Sequence, residues 1–266
     1  MTATGRVRWY RISFFLSTLV LAAGVVAAVY PGLDGYRELD ARSVAGLPAT
    51  AAWGAASALF AGLSSVSFMA LVAFRASSSV SQELFFLSFF FFSLIAETVR
   101  LALGVATLGG ATMETRDLLV RSVVFARTFG TLAVFSAGLH ASGYRDDKPW
   151  SAVWVMAFAS LGVTVALPVN SGDISDGLMP PRGFASLSTL FEVVVVGAAV
   201  LNFLLAARNR SSRVFLAAAA GSAAALLGAV LLREASGPWG FAFGALALWT
   251  GAMASFIPLR RHYLWQ

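Results

Sequence analysis

Phe85-Phe86-Leu87-Ser88-Phe89-Phe90-Phe91-Phe92-Ser93-Leu94-Ile95-Ala96-Glu97-Thr98-Val99-Arg100 is the stretch whose reading decides the fold. Its first half places phenylalanine on every side of a helix, whereas a surface helix of a soluble domain keeps its apolar residues to one stripe. Its second half sets a carboxylate, and one helical turn later a guanidinium, into the same apolar run. Hydrocarbon accepts such charges only when they are paired or face a polar interior. The stretch therefore reads as one membrane-crossing helix that needs partners for Glu97 and Arg100.

The rest of the chain agrees. Of 266 residues, 58% are hydrophobic and 12% charged, about half the charged fraction of a soluble domain. The mean hydropathy is +0.78. Apolar runs recur from end to end without the alternation of a membrane β-barrel. The expected class is an all-α, polytopic transmembrane helical bundle forming a single integral membrane domain over residues 1–266. Eight spans are expected near 12–30, 48–74, 84–108, 118–139, 150–169, 187–207, 214–232 and 239–257. The count becomes seven if the first is a cleaved signal. Its basic flank and the small residues Ala27 and Ala28 suit a signal peptide, but a run of about 19 apolar residues favours a retained helix.

Between the spans lie polar or turn-forming segments. The loop at 31–47 holds Asp34, Arg37, Glu38 and Asp40, and Ser77-Ser78-Ser79 separates spans two and three. Gly109-Gly110 with Glu114-Thr115-Arg116-Asp117 breaks the chain before span four. Pro180-Pro181 does so before span six, and Pro258 ends span eight. With the N-terminus inside, the inner segments hold Arg6, Arg8, Arg11, Arg75, Arg145, Lys148, Arg208, Arg210, Arg213, Arg260 and Arg261. The outer ones hold Arg37, Arg42, Arg116, Arg182 and Arg233. That imbalance predicts cytoplasmic N- and C-termini in the cell's inner (plasma) membrane. Trp9, Trp53, Trp150, Trp239 and Trp265 fall near span ends, as an interfacial aromatic belt requires.

Four charges fall deep within spans: Glu97 and Arg100 on the third, Arg127 on the fourth and Glu192 on the sixth. A rise of about 1.5 Å per residue puts them all within about 8 Å of the bilayer centre, in its outer half. Two are positive and two negative. Glu97 with Arg127 is the expected pair, and Arg100 is expected to reach Glu192 if span six packs nearby. Arg121, about 11 Å from the centre, is expected to snorkel to the outer interface. Rows of small residues at four-residue spacing predict close helix crossings within the bundle: Gly54-Ala58-Gly62, Ala217-Gly221-Ala225, Gly240-Gly244 and Ala247-Gly251-Ser255. Phe85 to Phe92 are expected to meet lipid or apolar neighbours on all sides. Asn202 is expected to make a hydrogen bond between helices and not to serve as a ligand.

Composition also excludes chemistry. Without cysteine there are no thiolate metal sites and no thiol catalysis. The only lysine, Lys148, lies in a loop, so no span offers a Schiff base. His140 and His262 lie at the inner interface with no carboxylate ladder beside them. No catalytic residue, metal ligand, cofactor or nucleic-acid partner is expected; the basic residues mark topology. Two expectations for function remain. In one, the layer of Glu97, Arg100, Arg127 and Glu192 binds or transports a small polar or anionic solute. In the other, the layer is a structural clamp in a non-catalytic sensor or assembly subunit, which signals through a protein partner at its cytoplasmic loops.

Overall fold

The computed structural model describes residues 3–35, 49–75, 81–108, 111–144, 148–168, 178–179, 185–210 and 212–264. The loop residues Arg37, Arg42, Ser77 to Ser79, Arg145, Pro180 to Arg182 and Trp265 lie outside them. Among the described residues all regular structure is helical: α1 (Ala3–Gly35), α2 (Ala49–Arg75), α3 (Gln82–Ser93), α4 (Val99–Leu108), α5 (Met113–Ser142), α6 (Pro149–Ala166), α7 (Ala185–Asn209), α8 (Arg213–Arg233) and α9 (Pro238–Leu264). A 3-10 turn, Leu94–Thr98, joins α3 to α4 into one span. Counted this way, eight helical spans are long and apolar enough to cross a membrane. The helix and loop pattern makes this a multi-pass architecture.

Several helix ends differ from the sequence expectation, each for a local reason. α5 begins at Met113, so Glu114 to Asp117 form its first turn and not a loop. Thr112 caps it by accepting from the Thr115 N–H, and Glu114 favours the positive end of the helix dipole. α5 ends at Gly143, whose φ of 115° is the left-handed conformation that glycine adopts freely. α6 starts with Pro149 in its first turn and stops at Ala166, because Leu167 precedes Pro168 and is extended. α9 runs through Pro258 to Leu264. A proline costs a helix one backbone hydrogen bond, which spans packed against neighbours tolerate.

The third span is the axis of the molecule. In its membrane-crossing window 83% of residues are buried inside the protein, against 17% for α1 and 22% for α7. Phe85, Phe86, Phe89, Phe90 and Phe91 are each at most 3% exposed. Lipid therefore does not reach them, and their neighbours are all protein. Phe91 stacks on Phe68 of α2, and Phe89 on Trp9 of α1, whose indole also donates to Ser88 Oγ. Phe86 stacks on His140 of α5. Around this axis stand α1, α2 and α5, with α7, α8 and α9 beyond and α6 against α5. Leu190, Val193, Val194, Leu201, Trp154, Val155 and Phe158 point outward, as lipid-facing residues do.

α8 and α9 form the closest pair. A Cβ placed on Gly221 would lie 2.6 Å from the carbonyl oxygen of Gly251, and one on Gly228 2.7 Å from that of Gly244. The α8 row thus meets both rows of α9, with Gly228 as a further member. In the remaining row, Gly62 of α2 faces Thr98 and Leu21. With no hydrophobic force between helices in lipid, such backbone proximity and a few polar bonds hold the spans together. Trp249 donates to Ser64 Oγ at 2.9 Å, and Ser222 and Ser255 hydroxyls lie 3.4 Å apart.

The 3-10 turn needs no glycine or proline of its own. Ser93 donates to the Phe90 carbonyl at 2.7 Å and Thr98 to that of Ile95 at 2.7 Å, so hydroxyls draw off carbonyls at both ends. Each hydroxyl residue also docks on a glycine of a neighbouring span. Ser93 sits against Gly130 of α5, and Thr98 against Gly62 of α2. Within this turn lies Glu97.

Candidate functional site: a glutamate held by three arginines

Glu97 is 3% exposed and stands at the meeting point of three spans. Arg127, on the facing side of α5, grips it side-on: Nε donates to Oε1 at 2.8 Å and Nη2 to Oε2 at 2.7 Å. Arg100, at the start of α4, donates from Nη1 to Oε2 at 3.3 Å. Arg233, the last residue of α8, donates from Nε to Oε1 at 3.0 Å. Each carboxylate oxygen therefore accepts from two donors. Charge-assisted bonds of this kind are about twice as strong as neutral ones, and the two-pronged grip of Arg127 fixes orientation as well.

The network also closes a helix end. Arg100 Nη2 donates to the backbone carbonyl of Arg233 at 3.3 Å, one of the acceptors that the C-terminus of α8 leaves without a helical partner. Arg100 is 1% exposed and among the largest fully buried side chains in the molecule. A cation held at the negative end of a helix dipole is favourable there.

Glu192 of α7 stands on the rim. Its Oε2 lies 3.9 Å from Arg233 Nη1, and its side chain keeps 20% of its exposure. Among the described ion pairs, Glu192 is matched with Arg233, which the count of basic residues places in an outer loop. The signal for it was weak: Arg233 is the final residue of an apolar run, where charges usually face the interface. Arg121 holds Asp117 at 2.7 Å and donates to the Thr164 carbonyl at 2.8 Å, tying α5 to the C-terminal end of α6.

Space around these groups is unequal. Between Glu97, Arg100, Arg233, Ser57 and Ala61 there is no room for a water molecule. Both oxygens of Glu97 are taken, and three guanidinium groups repel a metal cation. At the rim, by contrast, a groove of about 410 Å³ runs between α5, α7 and α8, with Glu192 and Arg233 at one end. A second, wholly apolar hollow of about 300 Å³ lies among Trp9, Phe89, Phe92, Phe125, Phe129 and Trp154.

The remaining candidates sit apart from this cluster. His140 is buried against Phe86, with Nδ1 2.8 Å from the Ser136 carbonyl. His262 meets the Phe215 ring edge-on. Asn202 packs where α7 crosses Gly138 of α5. The chain matches no family model, no curated protein and no solved structure.

Proposed function

We propose that this chain is a non-catalytic, multi-pass subunit of the plasma membrane in which the Glu97 cluster is a structural clamp. Both termini lie on the cytoplasmic side, and the basic cytoplasmic segments receive a protein partner. The observation that carries this reading is the geometry of Glu97: four donors fill its two oxygens, and no water-sized space adjoins it. A carboxylate so held neither binds a passing solute nor exchanges a proton on a solvent path. Removing a buried charge's partner costs about 3–5 kcal/mol, which makes the cluster a strong lock on the relative positions of the third span, α5 and α8.

The test separates clamp from conduit. A paired replacement, Glu97→Gln with Arg127→Gln, keeps polar partners at both positions and removes the charges. The clamp reading expects the folded double variant to co-purify with the wild-type partner set after cross-linking in native membranes. Reversing the exposed Arg208 and Arg213 to glutamate is expected to lose that set. A solute flux in proteoliposomes that the folded double variant abolishes would overturn it. The solute-binding alternative draws support from one separate observation, the groove ending on Glu192 and Arg233.

A further inference from the structure

Two residues between α6 and α7 are buried in the body of the bundle: Leu178, 8% exposed, and Met179, 7%. Leu178 packs with Ala51 and Ala58 of α2 and Leu101 of α4. Its Cδ2 lies 3.4 Å from where a Cβ on Gly104 would stand. Met179 packs with Leu103 of α4 and with Val120, Val123 and Val124 of α5. The two helices place this seat at the same depth. Leu101 to Gly104 follow Glu97 by one to two turns, and Val124 to Val120 precede Arg127 by the same, about 5–10 Å at the usual rise. Leu178 and Met179 therefore lie over the ion cluster, at the end of the bundle where α2 and α5 begin.

The spans do not fill this layer themselves. α2 contributes Ala51, Ala55 and Ala58, and α4 contributes Gly104, so the wall there is made of short side chains. Leu178 supplies the missing bulk. It does so at a φ of 58°, the one positive φ of a non-glycine residue among the described residues. Leucine avoids this left-handed conformation because its Cβ crowds the following carbonyl. Such a backbone persists only where its surroundings over-determine it. Here the surroundings are the seat.

We propose that Leu178 and Met179 form a plug that keeps water from the Glu97 cluster. Glu97, Arg100 and Arg127 are each at most 5% exposed, and no water-sized space adjoins Glu97. Charged groups attract water, and the apolar layer over them at this end is about two turns deep. Neither plug residue belongs to a span, so the seal is a part separate from the clamp beneath it. The proposal rests on the clamp reading for the dryness of Glu97 and adds what maintains it.

The experiment uses the full chain in sealed native membrane vesicles, oriented so that Thr115→Cys is open to an added reagent. Thr98→Cys, at a site beside Glu97 that is 1% exposed, and Ser57→Cys, which lines the Glu97 site, are the reporters in a chain with no other cysteine. Each is treated with a small, charged methanethiosulfonate. With the plug intact both are expected to stay unmodified. Leu178→Gly with Met179→Gly accommodates the backbone and removes both side chains. It is expected to raise the modification rate roughly tenfold, the ratio that one lost buried leucine represents. Leu178→Ala carries the same expectation if the double variant does not elute as folded protein. Leu178→Met refills the seat and is expected to leave both reporters silent. Reporters that stay silent in a folded plug variant overturn the plug and leave the clamp standing. Reporters that react with the plug intact overturn both. Modification of the plug variant from the opposite side only, or as fast in Leu178→Met as in Leu178→Ala, also overturns the plug.

Discussion

The pairing of Glu97 with Arg127 is the contact on which the reading of the third span depends, and its strength can be measured. Arg127 contributes two of the four donors on Glu97, the shortest two, at 2.8 and 2.7 Å. Hydrogen bonds to charged groups contribute about 1.5–3 kcal/mol each, so the side-on pair has a ceiling of about 3–6 kcal/mol. Arg100 and Arg233 remain on Glu97 when Arg127 is replaced, which reduces the loss. The expected coupling is therefore about 2–4 kcal/mol, above the roughly 1.7 kcal/mol maximum for neutral bonds between membrane helices. The cycle comprises wild type, Glu97→Gln, Arg127→Met and the double variant, unfolded reversibly in bicelles and followed by tryptophan fluorescence. Glu97→Gln alone is expected to be the most destabilising, at about 3–5 kcal/mol, because it leaves three cations without their shared anion. A coupling at or below about 0.6 kcal/mol, the average for neutral interhelical bonds, would refute direct pairing as the lock.

Arg233→Gln is expected to cost about 1.5–3 kcal/mol in the same unfolding assay, since one charged donor leaves Glu97 while two arginines stay. Gly251→Val should abolish folded protein on size-exclusion chromatography, because a Cβ there already lies 2.5 Å from the Gly221 carbonyl oxygen and α8 cannot recede without losing α9. The chain has no cysteine, so single cysteines report topology cleanly. Thr115→Cys and Ser142→Cys, at opposite ends of α5, are expected to label with impermeant maleimide from opposite sides, Ser142→Cys from the cytoplasm. Labelling of both from one side would remove α5 as a span. Phe86→Ala should destabilise by about 3–5 kcal/mol, the cost of emptying a well-packed aromatic site, and a loss below 1 kcal/mol would show lipid replacing the ring.

Eight spans were legible because length and hydropathy are properties of each helix alone. The ends were legible only in part. Thr112 and Gly143 are cap residues that lengthen α5 beyond its apolar run, and hydropathy is blind to caps. Of the four charges read as one layer, Glu97, Arg100 and Arg127 are brought into direct contact, and Glu192 reaches them through Arg233. The sequence could not supply Arg233, because its role depends on α8 ending beside the 3-10 turn. Nor could it supply the turn itself, which rests on Gly62 and Gly130 arriving from two other spans. Phe85 to Phe91 are the instructive case. A helix aromatic on all sides reads equally well as lipid-facing or central, and only the arrangement of α1, α2 and α5 around it distinguishes the two.

The 3-10 turn also sets angular phase. An α-helix advances about 100° per residue and a 3-10 helix about 120°, so five residues of the tighter winding rotate everything beyond them by about 100°. Arg100 and the rest of α4 therefore point about a quarter-turn away from where an unbroken helix would aim them. The phenylalanine half and the arginine half of one span address different neighbours through that offset. Backbone hydrogen bonds in 3-10 geometry are poor, so the amides of Leu94 to Val99 would exchange quickly in an isolated helix. Clamped by Arg127 and Arg233, they are expected to be among the slowest-exchanging in the protein, the weakest winding guarded by the strongest contacts.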